Sequence, residues 1–586
     1  MPKITSISPV AAEAARAAEV SAVSDTASAS AVPSMTGPSG CRGRRKKPGG
    51  ALFATVGWVV ALACLLPMLA VSLAALTGGT ETIRHLMDTV LPGYVGTTLV
   101  LVLLVALGTG MVGVGAAWLV TMTRFPGVRV MEVVLILPLA FPAYVLAYAY
   151  TFVLDHPGVV QTTLRQVTGW GPRDYWFPEI RSVGGAAVML VLVLYPYVYL
   201  LARAAFLQQS AGAFLAARAL GNTSLQAFWR VSLPMARPAI ASGVLLAVME
   251  TIADFGTVSY FGVQTFATGI YTSWFSLADR AGAAQLALCL LGFALTLAVA
   301  ERATRGRARY HHAGKHQAKM PPVDLHGFKA ALAFGLCVLP VLLGFLLPVV
   351  ILAQMGMESE QNLFSKRYLG FLQNSLTLAM TAALLTVVAA VCLGFYQRLR
   401  PGRPSALAGH VSRLGYAVPG GVIAVGLMVP FAAFDNTLDA WMQANFEIRT
   451  GLLITGSIWL LVAAYMVRFL AAALGAYEGG QSTVHANMDA AARSLGQSPL
   501  GMLRRVHLPI LTPSLMTALL IVFVDVMKEL PATLIMRPFN YDTLAVQAYR
   551  LASDERLEGA AVPSLVIMLV GLLPVILICR QVGRRS

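Results

Sequence analysis

Twelve stretches of this chain stay apolar over roughly 20 residues or more, the length an α-helix needs to cross a hydrocarbon core about 30 Å thick. They lie near 51–76, 94–122, 130–153, 183–206, 238–261 and 283–300, and again near 330–355, 374–396, 413–434, 451–474, 513–536 and 561–579. With 57% hydrophobic and only 12% charged residues, and a mean hydropathy of +0.70, the expected fold class is all-α: a polytopic membrane protein of about twelve transmembrane helices.

The second constraint is duplication. Ala216-Ala217-Arg218-Ala219-Leu220-Gly221, running on to Val231-Ser232-Leu233-Pro234, returns as Ala491-Ala492-Arg493-Ser494-Leu495-Gly496, running on to Val506-His507-Leu508-Pro509. Gly496 follows Gly221 by 275 residues, and Pro509 follows Pro234 by the same distance. Aligned without a gap over 25 residues from Ala216 and from Ala491, the two copies agree at 11 positions, which marks an internal repeat. Two homologous halves of six spans each follow.

Each copy is too polar to span lipid and too patterned to be a slack loop. It reads as two short helices with a bend. Gly221 and Gly496 stand where the first helix needs a left-handed residue, and Thr223 and Ser498 are placed to cap the second. Thr223 with Gln226 forms a capping box, whereas the other copy puts Pro499 in the first turn. Pro234 and Pro509 are expected to end the second helix, since proline has no amide hydrogen. Leu225, Phe228 and Val231, like Leu500, Leu503 and Val506, form an apolar stripe suited to a groove on a partner or to a lipid surface.

The spacing Ala216-Ala217, Gly221, Val231, Leu233-Pro234 resembles the "EAA" signature of ABC-importer permeases, and the second copy matches it equally. The family's leading glutamate is absent: Leu215 and Ala490 occupy its place, with Asp489 one residue earlier. The resemblance implies that Ala216, Ala217, Gly221, Leu233 and Pro234, with Ala491, Ala492, Gly496, Leu508 and Pro509, belong to coupling helices that dock on an ATP-hydrolysing subunit.

Lysine and arginine in the short connections set orientation. Arg42, Arg44, Arg45, Lys46 and Lys47 precede the first span, Arg302, Arg305, Arg307, Arg309, Lys315 and Lys319 lie between the halves, and Arg580, Arg584 and Arg585 close the chain. All three belong on the cytoplasmic side of a bacterial inner membrane, as do both repeated loops and both termini. The net charge of +16 is thus a topology signal, and the clusters flank spans, so no nucleic-acid partner is expected. The resulting division is a disordered basic tail over 1–50, a first permease domain over 51–301 with its coupling loop at 212–237, a linker over 302–328, and a second permease domain over 329–586 with its loop at 487–512. His311, His312 and His316 in the linker read as inert. The 6 cysteines show neither disulfide nor metal spacing.

Two features fall inside the spans. Pro142 answers Pro419, and proline within a spanning helix bends it, either for motion or for packing. The fifth span carries Glu250 and Asp254, answered 275 residues later by Asp525 and Glu529. Acids in lipid are costly and face a cavity or a partner, and a spacing of four places each pair on one helix face. Lys528 is positioned to neutralise Asp525 or Glu529, so a charge-compensated junction competes with a translocation path. As a path, carboxylates with the phenols of Tyr144, Tyr148, Tyr195, Tyr197 and Tyr260 suit a hard cation.

The segments from Met249 to Val263 and from Asp525 to Leu534, together with Arg537-Pro538-Phe539-Asn540 and Ala552 to Leu557, resemble fused ferric-iron permeases. That resemblance implies a non-enzymatic subunit of an ATP-driven importer that takes Fe3+ from an extracytoplasmic binding protein. It also implies two copies of an ATPase subunit, which hold ATP and Mg, and leaves this chain without a cofactor. No Gly-x-x-x-x-Gly-Lys-Ser/Thr sequence occurs here. Thiamine, polyamine and phosphonate permeases stay open as alternatives, as does an ion-coupled secondary carrier using the acids as proton or sodium sites. Trp170 and Trp176, in the external loop from Asp155 to Ser182, suit either a binding-protein landing surface or an interfacial anchor.

Overall fold

The computed structural model describes residues 49–209, 211–307, 323–359, 361 and 365–583, so the expected tail, most of the linker and its three histidines lie outside the described residues. Among the described residues, eleven helices are long and apolar enough to cross a membrane, and one bent pair brings the number to twelve. In chain order they are Ala51–Thr77, Leu91–Met122, the pair Val128–Ala140 with Ala143–Thr168, Val183–Gln208, Phe228–Ala253 and Arg280–Glu301. The second half has Phe328–Glu358, Lys366–Leu399, Gly420–Phe446, Ile458–Gln481, Pro499–Met527 and Leu557–Leu577. The fold is all-α, and its one sheet among the described residues is a two-residue parallel pairing of Thr123–Arg124 with Val323–Asp324. Helices dominate because lipid offers a backbone amide no partner except its own chain.

The halves are interlocked. The first span keeps the sixth span of its own half as a neighbour and also lies against the eighth and ninth spans and the helix Arg403–Leu414 of the other half. The seventh span reciprocates, packing on Ala143–Leu154 and neighbouring first-half helices, where the Tyr150 hydroxyl donates to the Leu343 carbonyl at 2.6 Å. One buried apolar cluster therefore draws side chains from both halves.

The prolines at 142 and 419 do not kink continuous helices, as the sequence suggested. Each is the N-cap of a new helix, Ala143–Leu154 or Gly420–Phe446, and each follows a short 3-10 turn, Leu137–Ala140 or Gly415–Ala417. With no amide hydrogen to lose, proline suits the start of a helix better than its middle. In the first half the two pieces meet at 90°.

The spans that follow the repeated loops also end early. The fifth stops at Ala253 and the eleventh at Met527, short of the expected 261 and 536, and short helices Gly256–Tyr260 and Pro531–Met536 resume after each break. These two matched breaks lie between the halves.

Candidate functional site

Both repeated loops fold as their cap residues dictate. The first comprises Ala211–Ala219 and Ser224–Ala227, and the second Ala486–Ser494 and Pro499–Met502. Gly221 and Gly496 turn between them at φ +87° and +76°, a conformation that disfavours any Cβ. The Gln226 amide donates to the Thr223 hydroxyl at 3.2 Å and the Thr223 amide to the Gln226 side chain at 2.9 Å, while Ser498 accepts from the Gly501 amide at 3.1 Å.

Pro234 and Pro509 do not end these helices. A π-turn at Phe228–Ser232, matched by Leu503–His507, shifts the hydrogen bonds by one residue, so that Leu233 donates to Phe228 and Leu508 to Leu503. The helix absorbs the missing proline amide and runs on into the membrane. Of the expected stripes, Phe228 and Leu503 are buried and Val231 and Val506 half-buried, while Leu500 stays 41% exposed. What each loop presents outward at its bend is a leucine the sequence reading had not singled out, Leu220 at 83% exposure and Leu495 at 78%. Ala216 and Ala491 are exposed beside them, whereas Ala217 and Ala492 pack inward.

The two loops are fastened to the bundle by different chemistry. Phe214 and Phe228 of the first gather around Trp118, with ring centroids at 6.2 and 4.2 Å. In the second, Asp489 stands at the position of Phe214 and bonds Arg398 Nε at 2.7 Å and His507 Nε2 at 2.8 Å, while Arg398 also donates to the Val484 carbonyl. An ionised carboxylate only accepts, so His507 carries its proton on Nε2. Burial raises the Asp489 carboxyl, but the bonds from Arg398 and His507 outweigh it and hold the group below its ordinary value. Asp489 therefore makes an ion pair without the family's glutamate.

A cavity of about 140 Å³ lies between the halves and is lined by Glu250, Asp254, Asp525 and Glu529, with Tyr144, Tyr197, Tyr416, Arg468 and Lys528. The acid pairs do not share one helix face, because each straddles the end of its span. Asp254 caps the helix beyond its break, accepting from the Thr257 and Val258 amides at 3.1 and 3.2 Å. Glu529 does the same for the Ala532 and Thr533 amides at 3.0 and 3.1 Å. Glu250 and Asp525 have no such duty: Glu250 accepts from the Tyr416 hydroxyl at 3.3 Å, and Lys528 pairs with Asp525 at 2.9 Å.

Arg468 completes the second-half flank, its Nη1 at 4.0 Å from Glu529 Oε1. A Cβ on Gly420 would stand 2.5 Å from that oxygen and 2.6 Å from Arg468 Nη1, so the close approach requires glycine. At the repeat spacing, Val193 and Ala253 stand opposite Arg468 and Lys528. The carboxylates are thus duplicated and the cations are not. An arginine within an apolar span was the available signal for Arg468. Among the described residues no cluster of three or more His, Cys, Asp or Glu side chains is arranged to hold a metal ion. Of the tyrosines read from sequence, Tyr144 and Tyr197 reach this cavity, while Tyr148, Tyr195 and Tyr260 do not line it.

Towards the repeated loops a second cavity of about 450 Å³ adjoins the first, sharing Met249, Tyr416 and Ala417 with it and flanked by the ion pair of Arg413 with Glu478. On the other side the halves close over the acids. Tyr144 donates to the Lys528 carbonyl at 3.4 Å, Tyr271 to the Pro531 carbonyl, and Ser259 meets the Tyr549 hydroxyl at 2.9 Å.

The family model for the binding-protein-dependent transport system inner membrane component matches twice, over residues 110–309 and 384–586. The Fe(3+)-transport system permease protein FbpB 2 of Haemophilus influenzae is 26% identical over 89% of this chain and 96% of its own length. The putative 2-aminoethylphosphonate transport system permease protein PhnV of Salmonella typhimurium is 27% identical over 34% of this chain and 69% of its own. The sulfate transport system permease protein CysT of Synechocystis is 27% identical over 35% and 71%.

Proposed function

The chain belongs to the binding-protein-dependent transport system inner membrane component family, with that component present twice in tandem, and from this premise we propose that it supplies both halves of the permease of an ATP-driven ferric-iron importer. The observation that carries the reading is the cavity: two equivalent broken helices bring four carboxylates to one space between the halves. Carboxylates and phenols suit a hard cation such as Fe3+. The relative matched along nearly its whole length bears an Fe(3+)-transport name, which supports the same substrate.

In this reading the repeated loops are cytoplasmic, as the basic clusters predict, and each seats its exposed leucine, Leu220 or Leu495, in a socket on one of two ATPase subunits. Those subunits hold ATP and Mg. An extracytoplasmic binding protein delivers the ion to the opposite face. Closure of the ATPase pair moves the two rigid helical loops, and through the continuous helices Phe228–Ala253 and Pro499–Met527 moves the breaks at the cavity. Glu250 and Asp525, free of capping duty, act on the ion, while Asp254 and Glu529 hold the breaks in shape.

The test is uptake into proteoliposomes holding the chain, its ATPase and its binding protein, with ferric iron, sulfate and 2-aminoethylphosphonate compared. ATP-dependent uptake of iron is expected, and Glu250→Gln or Asp525→Asn lowers it at least about tenfold, the effect of losing one charge-assisted contact, while assembly persists. Uptake by the chain alone without ATP would instead identify an ion-coupled carrier. Uptake of another solute would reassign the substrate.

A further inference from the structure

On the side of the cavity away from the repeated loops, one guanidinium ties the halves together. Arg181, just before the fourth span, donates through both terminal nitrogens to Glu555, at 2.7 and 2.8 Å, and through Nε to Asp155 at 3.0 Å. Asp155 belongs to the same half as Arg181, and Glu555 to the other. Glu555 sits at the turn between the helix Leu544–Ser553 and the last span at φ +58°, a conformation unusual for a side-chain-bearing residue. Beneath the clasp a column of phenols leads inward. The Arg181 guanidinium lies 5.2 Å from the Tyr260 ring centre, Tyr260 is edge-on to Tyr148 at 4.7 Å, and Tyr148 is 5.7 Å from Tyr144, which lines the acid cavity.

We propose that the Arg181–Glu555 pair is the latch of the gate on this face, holding the halves shut over the tyrosine column and parting each time a solute enters the cavity. The two carboxylates divide the work. When the halves separate, Arg181 keeps Asp155, so no unpaired guanidinium is left above the column. Glu555, 61% exposed even in the closed state, passes into water at little cost. The bidentate geometry makes the closed position definite, and the exposure makes it reversible. Gly456, at the repeat position of Arg181, has no side chain to form a second latch, so the ion pair is not duplicated. In the structure the latch is closed while the larger cavity lies on the repeated-loop side, the arrangement of a resting transporter sealed toward its delivery face.

The inference rests on the transport reading and on its orientation, and its test separates the two. In the full transporter with native cysteines replaced, Ser259→Cys places a thiol under the latch beside Tyr549. A membrane-impermeant maleimide added outside intact cells should label it about fivefold faster when Glu555→Gln is introduced, the scale of one partly exposed ion pair. Asp155→Asn, which leaves the joint between the halves in place, should change the rate less than about twofold. In a second arm, Arg181→Cys and Glu555→Cys are bridged by a short reducible bis-thiosulfonate, which should abolish uptake until a reductant restores it. Labelling of Glu555→Gln no faster than the parent, or undiminished uptake through the bridged protein, would overturn the latch. The labelling arm reads the gate whatever the solute and whatever drives it, so a chain found to work without ATP would lose its proposed function and keep its latch.

Discussion

Asp489 shows how much one side chain can hold. It joins Arg398 at the end of the eighth span to His507 in the π-turn, and both contacts are largely removed from water. Breaking such an arrangement strands the remaining charge, so Asp489→Asn should destabilise the protein by about 3 kcal/mol, read as the unfolding midpoint of purified protein in detergent. Phe214→Ala, at the matching position of the first loop, should cost a similar 3 kcal/mol or so through lost apolar packing. Acid separates the two. The folded-state value of Asp489 is depressed, so its contribution is fully present above its unfolded value of about 3.9 and is lost as pH falls through the lower folded one. The gap between parent and Asp489→Asn should therefore stay constant from about pH 8 to 5 and narrow below about pH 4, whereas the Phe214→Ala gap should not respond. Widening as pH falls from about 8 to 6 would assign the effect to a titrating histidine instead.

Among the elements, the two loops invite the sharpest experiment, because each presents its exposed leucine at a bend held by glycine. Leu220→Asp and Leu495→Asp touch no buried neighbour and should leave stability within about 0.5 kcal/mol, yet co-purification of the ATPase should fall at least about tenfold, as for a central apolar contact. Gly221→Ala and Gly496→Ala meet no steric neighbour within 4 Å, so any cost is conformational, about 1 kcal/mol each. Loss of transport with ATP hydrolysis retained would report the bend itself. The caps and glycines of these loops were legible in the sequence, since capping depends on residues three apart. The fate of the prolines was not: a helix can stop at Pro234 or absorb it in a π-turn, and burial of Phe228 against Trp118 favours continuity. Likewise Glu250 and Asp254 look like one face of a helix until the backbone breaks between Ala253 and Gly256, which turns one acid into a cap. The spacing of acids was visible, but the division of labour between them depends on where the amides of Thr257 and Thr533 point.

At the scale of the molecule, the exchange of first and seventh spans binds the halves into one folding unit. If the chain is cut within residues 308–322 and the two fragments are produced together, a tag on one should recover the other, whereas either fragment produced alone should be degraded or aggregate, since its first helix has lost the part of its covering surface that the other half supplies. Recovery of a monodisperse single fragment would show that the exchange is dispensable. Twelve spans and their doubling could be read from apolar runs and a constant spacing, but not the exchange, because lipid-facing and protein-facing helices have the same composition. Arg468 and Lys528 show what the tandem arrangement permits. A permease assembled from two identical chains must place any charge at the centre twice, so two guanidinium groups would confront each other across the same small space. Written as one polypeptide, the molecule can put a cation on one wall and an aliphatic residue on the other, and the passage acquires a sidedness that no pair of identical subunits could encode.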